Sequence, residues 1–182
     1  MLKRLLPALC LFALACQAPS PAWQVHFSPS GKPTAAIVET LAEARESVYV
    51  MAYSFTSAPI AEALVAAKQR GVTVEVILDR SQPTARGSVI PALQAASIPV
   101  YIDRAHAIQH NKIMIIDANT VITGSFNFSN AAETRNAENL LVIRDSRLAA
   151  QYKANWDRCR GLAIAYLLNV STEIIVNAIS LG

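Results

Sequence analysis

The chain has 182 residues, of which 53% are hydrophobic and 16% charged; this suits one globular domain and excludes a disordered chain or a multi-domain layout. Its formal charge of +3, from 16 Lys and Arg against 13 Asp and Glu, invites a polyanionic partner only if the excess lies on the folded part. Lys3 and Arg4 already account for most of it.

Those two residues open the run Met1 to Ala15, in which a basic start leads into a short apolar core ending in Ala13-Leu14-Ala15. The pattern predicts a secretory signal peptide over about residues 1–22, and hence a periplasmic or secreted protein. A membrane span needs about 20 apolar residues, and this core is shorter and runs into Pro19 and Pro21. The same end also fits a lipoprotein signal with Cys16 as the lipidated residue, although Ala13 stands where such signals prefer Leu. Without Lys3 and Arg4, 14 basic side chains face 13 acidic ones, a net charge of about +1 that is almost no evidence for a polyanion. Cys159, alone on a helix, reads as a small apolar residue and not as part of a disulfide framework.

From Trp23 strand-like and helix-like segments alternate. Trp23 to Ser28 is a short strand, and Pro33 opens a helix over Thr34 to Glu46, with Ile37, Val38, Leu41 and Ala44 on one face. Ser47 to Ser54 is an apolar strand, and Pro59 to Arg70 a helix closed by Gly71. A strand over Val72 to Asp79, a helix over Ser88 to Ala96 and a strand over Ile98 to Asp103 follow. Asn111 to Asp117 and Val121 to Ser125, joined by Ala118-Asn119-Thr120, form a hairpin. A short helix at about Asn130 to Arg135, a strand over Asn139 to Arg144 and a helix over Ser146 to Cys159 complete the domain. The expected fold is α/β, an α/β/α sandwich on a mixed, mostly parallel sheet, with one domain over 23–160. The apolar tail 161–182, interrupted by Asn169, Glu173 and Asn177, predicts a packing or dimer-contact helix and no membrane span.

The chemistry-bearing feature is His110-Asn111-Lys112, then Asp117, then Gly124-Ser125-Phe126-Asn127, the pattern H-x-K-x4-D-x6-G-S-x-N. Alternation along a strand turns His110 and Lys112 to one face, and the same rule pairs Ser125 with Asn127. An imidazole, an ammonium, a hydroxyl and a carboxamide then converge, with no run of carboxylates or cysteines to suggest a metal. An imidazole can act as nucleophile or proton donor near neutral pH, and Lys and Asn can hold non-bridging oxygens, so the set suits a phosphodiester and needs no cofactor. Asp117, at an odd offset from His110, reads as mainly a turn-forming residue. His26 and His106 lack a matching lysine. Glu133 reads as a helix-capping partner and Glu138 as the better partner for the histidine. Tyr53, Asp79, Arg80 and Arg86 stand at or after strand ends, where α/β sheets present ligand contacts, and Arg86 is a candidate for touching substrate.

This pattern, with Met51-Ala52-Tyr53-Ser54-Phe55-Thr56 and Ala131-Ala132-Glu133-Thr134 around it, resembles the phospholipase D superfamily, in particular its small bacterial periplasmic endonucleases, over about Trp23 to Arg160. The resemblance implies a metal-independent phosphodiesterase in which one His attacks phosphorus and a second protonates the leaving oxygen. Carried over by position, the catalytic set is His110, Lys112, Asn127, Ser125, Asp117 and Glu138, with Lys112 and Asn127 on phosphate and Glu138 orienting the imidazole. One motif per chain implies a homodimer with one shared site. The implied substrate is DNA, with RNA a further candidate; the rival is a phospholipid headgroup, as in cardiolipin-hydrolysing relatives, with membrane contact through the tail or a lipidated Cys16. A non-catalytic binding protein is disfavoured because His110 and Lys112 are both present.

Overall fold

The computed structural model describes residues 22–166; the expected signal peptide, Cys16 and most of the apolar tail lie outside them. Strands β1 (Trp23–Ser28), β2 (Ser47–Ala52), β3 (Thr73–Asp79), β4 (Val100–Asp103), β5 (Lys112–Ile116), β6 (Thr120–Gly124), β7 (Glu138–Arg144) and β8 (Ile164–Ala165) form one sheet in the order β1-β7-β6-β5-β2-β3-β4-β8. Helices α1 (Pro33–Glu43), α2 (Ala58–Gln69), α3 (Ile90–Ala95), α4 (Asn130–Thr134) and α5 (Ser146–Leu162) connect them.

The sheet is mixed, but the expectation that it is mostly parallel holds only for the first half. Parallel pairing joins β2 to β3 and β3 to β4, where helical crossovers intervene. Every other neighbour is antiparallel; β5 and β6 are joined by a short turn, while β1 with β7, β2 with β5 and β4 with β8 pair across long stretches of chain.

Both faces of the central strands are buried, which explains their near-continuous apolar sequences. Val48, Val50, Val74, Val76, Leu78, Met114 and Ile116 pack with Ile37, Leu41, Ile60, Leu64 and Leu93 of α1, α2 and α3. On the other face Met51, Ile77, Ile113, Ile115 and Val121 meet Ala149, Trp156 and Cys159 of α5. Trp156 donates its indole N–H to the Val50 carbonyl at 3.1 Å, so its one polar atom is satisfied inside the core. Cys159 is buried there, as the apolar reading expects.

Beyond shifts of a residue or two at element ends, three features differ from the sequence reading. Helix α1 stops at Glu43, not Glu46, because Asp117 accepts the backbone N–H groups of Arg45, Glu46 and Ser47 at 2.8–2.9 Å. These donors would otherwise continue the helix. Helix α4 is capped by Ser129, whose hydroxyl accepts from Ala132 N, while Glu133 reaches across to the N–H of Thr34 and is no capping-box partner. The domain also runs past residue 160: α5 ends at Leu162, and β8 pairs Ile164 with Ile102 and Ala165 with Tyr101.

Candidate active site

Strand β5 enters the sheet beside the carboxyl end of β2, pairing Lys112 with Ala52, and Tyr53 N continues the ladder to Asn111 O at 3.0 Å. This fixes the segment that carries His110 against the end of β2. The loop before it is held by two buried carboxylates at the ends of β3 and β4. Asp79 accepts the N–H of Gln109 at 2.8 Å and of Ser81 at 2.9 Å. Asp103 accepts the Gln109 side-chain N–H at 2.7 Å and the His106 ring at 2.8 Å, and Gln109 in turn accepts from the Asn111 amide. Burial works to raise both carboxyls, but these hydrogen bonds outweigh it and hold Asp79 and Asp103 below the usual carboxylate range. Sequence reasoning missed this anchoring role of Asp79, Asp103 and Gln109; the one available signal was the position of both aspartates at strand ends. His106 is thereby occupied, and His26 bonds the Gly31 carbonyl at 3.2 Å, so neither joins the site.

His110 is exposed, and its ring tilts over Tyr53 with centroids 4.8 Å apart. Lys112, only 6% exposed, donates from Nζ to the His110 carbonyl at 2.8 Å and lies 3.3 Å from imidazole Nε2. Its ammonium is 5.5 Å from the centre of the Tyr53 ring. An ammonium has three donors, so at least one remains for a phosphate oxygen. Burial lowers the Lys112 pKa, and the Glu138 carboxylate partly offsets that. Binding of inorganic phosphate should therefore weaken on the alkaline side earlier than an ordinary lysine would dictate. Glu138→Gln removes the offsetting charge and should move that loss to still lower pH, readable as the pH dependence of phosphate inhibition.

The Gly124–Asn127 turn completes the cluster. A Cβ at Gly124, whose φ is +146°, would overlap the Asn139 carbonyl, so only glycine permits this approach. That carbonyl accepts from both Ser125 N and Phe126 N at 3.1 Å. Ser125 donates its hydroxyl to Glu138 at 2.6 Å and accepts from Asn139 N at 3.1 Å, and Asn136 donates to the other Glu138 oxygen at 2.9 Å. Phe126 and Phe128 are fully buried, and Phe128 meets Phe55 edge-on at 5.5 Å. Its carbonyl also receives Thr56 N and Ser57 N at 2.9 Å. Asn127 is clamped between these two anchors, and its side-chain Oδ1 is buried with no hydrogen-bond partner among the described residues. Ser125→Ala should lower turnover about tenfold, the worth of one good hydrogen bond to a charged group, with Glu138 losing its orientation as the cause.

His110, Lys112, Ser125, Asn127 and Glu138 thus stand at one end of the sheet. Two expectations change. Glu138 bonds Ser125 and Asn136, and no hydrogen bond joins it to His110 within the chain. Asp117 lies past the far end of β5, about 20 Å from His110 at the rise of an extended strand, and its carboxylate holds Arg45, Glu46 and Ser47. It has no part in the site, because an antiparallel strand that brings His110 to one edge of the sheet must carry Asp117 to the other. Burial would raise its pKa, yet those three N–H bonds hold it below the usual range. Arg86 is exposed in the turn before α3, with no hydrogen bond or ion pair to the His110 cluster among the described residues.

A family model described as cardiolipin synthase, PLD-like domain, matches residues 37–160, a span that takes in the whole constellation. The chain belongs to the phospholipase D superfamily. A phospholipase D of Rickettsia bellii is 47% identical over 130 residues, covering 71% of this chain and 65% of that one. A mitochondrial cardiolipin hydrolase of Chlamydomonas reinhardtii is 30% identical over 135 residues, covering 73% and 60%. The phospholipase D family member Nuc of Salmonella typhimurium superposes with a TM-score of 0.76 at 39% identity, over 79% of this chain and 97% of Nuc. The chain therefore spans about two thirds or less of the length of these curated relatives, but nearly all of Nuc.

Proposed function

We propose that this member of the phospholipase D superfamily is a metal-independent phosphodiesterase, an endonuclease of low sequence preference acting on DNA and also on RNA. The observation that carries the reading is the convergence of His110, Lys112, Ser125, Asn127 and Glu138 on one sheet end. The imidazole of one His110 attacks phosphorus, and the bond to the leaving oxygen breaks as a second imidazole gives that oxygen its proton. Water, deprotonated by the second imidazole, then displaces the first and releases a phosphomonoester. Lys112 and Asn127 hold the non-bridging oxygens, where negative charge collects.

One chain supplies one such histidine, so the reading requires two chains and one shared site, related by a two-fold axis. The outward side chains of β1, Trp23, Val25 and Phe27, are 57%, 40% and 60% exposed. They offer apolar surface for an interface of this kind. On the same reading the Met1 to Ala15 run directs export, and the protein works in the periplasm or outside the cell.

Hydrolysis of a linear DNA and of bis(p-nitrophenyl) phosphate in excess chelator tests the proposal, and both should proceed at the rate seen without chelator. The name of the Chlamydomonas relative favours a second reading, release of a headgroup from cardiolipin. Headgroup release without DNA cleavage in parallel assays would replace the first reading with the second.

A further inference from the structure

The modest net charge of the chain, +3, says nothing of a local asymmetry at the end of the sheet that holds the candidate site. Across this edge the strands run β5, β2, β3, β4. The register pairs Lys112 with Ala52, Ala52 with Leu78, and Asp79 with Asp103, so Arg80 and Arg104 leave adjacent strands at the same level. With neighbouring strands about 4.8 Å apart, Arg80 sits about 10 Å and Arg104 about 14 Å from the β5 line that carries His110. Both are exposed, and so is Arg86, which stands in the turn beside Gly87 and Thr56. Among the described residues none of the three forms an ion pair.

The acidic residues next to them are turned the other way. Asp79 and Asp103 are 3% and 1% exposed and spend their oxygens on Ser81, Gln109, Ala105 and His106. The charge this edge presents to solvent is positive even though its sum is small. A single nucleic-acid strand rises about 3.4 Å per nucleotide when stacked. With one phosphate at His110, Arg80 and Arg104 lie within reach of phosphates a few nucleotides along the same strand.

We propose that Arg80 and Arg104 form a track for the backbone phosphates flanking the scissile one, so that the substrate is a polyphosphodiester and not an isolated headgroup. This rests on the phosphodiesterase reading above and assigns the polymer-binding surface of that site. Arginines in such a track bind phosphate without reading base edges, which suits an enzyme of low sequence preference.

The test is the salt dependence of binding of a fluorescent oligothymidylate to the full-length protein carrying His110→Ala, which prevents cleavage. Each arginine lost should flatten the slope of log affinity against log salt by about 0.7. Arg80→Ala/Arg104→Ala in that background should flatten it by about 1.4, and Arg80→Lys/Arg104→Lys should keep it. Removing a charge from α5 by Arg158→Ala should leave it unchanged. An unchanged slope in the alanine pair, or an equal loss on Arg158→Ala, overturns the track. So does binding to anionic phospholipid vesicles that depends on the two arginines while oligothymidylate binding does not. Hydrolysis of bis(p-nitrophenyl) phosphate by the unmodified protein separates the outcomes: if it proceeds while the slope is unchanged, the track fails and the phosphodiesterase reading stands.

Discussion

His110→Ala should abolish phosphodiester hydrolysis, with a loss on the order of 10⁶-fold, the scale seen when the nucleophile of a covalent mechanism is removed. On the mechanism proposed above two roles would vanish together, because each chain of the pair would contribute the same residue, once as attacking atom and once as proton donor. The variant should fold normally, since His110 is exposed and its ring rests on the Tyr53 face beside the Lys112 ammonium. A dimer of one unmodified and one His110→Ala chain keeps one of the two imidazoles and should also be severely impaired. Full activity of either form would remove His110 from the mechanism. Both are measured with bis(p-nitrophenyl) phosphate, which needs no contact beyond the site itself.

Asp117→Ala should act in the opposite way, costing stability and leaving the site intact. Its carboxylate accepts three backbone N–H groups from the connection between α1 and β2, and hydrogen bonds to a charged group contribute about 1.5 to 3 kcal/mol each when well formed. Two of the three are exposed, so a total cost of about 2 to 3 kcal/mol is expected. Chemical denaturation should show a lower midpoint with an unchanged slope, while turnover per folded molecule stays near that of the parent. A large fall in turnover with unchanged stability would return Asp117 to the catalytic set.

The same carboxylate sets a pH signature. Asp79, Asp103 and Asp117 all have pKa values below the ordinary 3.8. The stability they supply is therefore fully present above about pH 4 and is lost as pH falls through their lowered values. Acid unfolding of the parent should be steep in that range, and Asp117→Ala should flatten it.

Much of this was legible in the sequence, for reasons that can be named. Strands such as Thr73–Asp79 and Lys112–Ile116 announce themselves because burial on both faces demands runs of β-branched and apolar residues. The H-x-K and G-S-x-N motifs are readable because the backbone dictates their spacing: β5 must begin beside β2, and Gly124 must let the Asn139 carbonyl approach. What escaped was long-range pairing. Nothing local in Asp117 shows that it will reach Arg45 to Ser47, nor in Glu133 that it will hold Thr34. The parallel bias of the first half was over-extended because a crossover helix is visible in sequence, whereas the antiparallel pairings of β1 with β7, β2 with β5 and β4 with β8 join segments far apart in the chain. Nothing local in Gln109 announces that it joins two buried aspartates to the histidine loop, which becomes visible only once β3 and β4 lie side by side.

Direct capture of the covalent intermediate tests the central claim. During turnover of bis(p-nitrophenyl) phosphate in excess chelator, alkaline quenching and peptide mapping should find one p-nitrophenyl phosphoryl group on the peptide that contains His110, attached through its imidazole. Turnover with no adduct on His110, or with the group on another residue, would contradict the account.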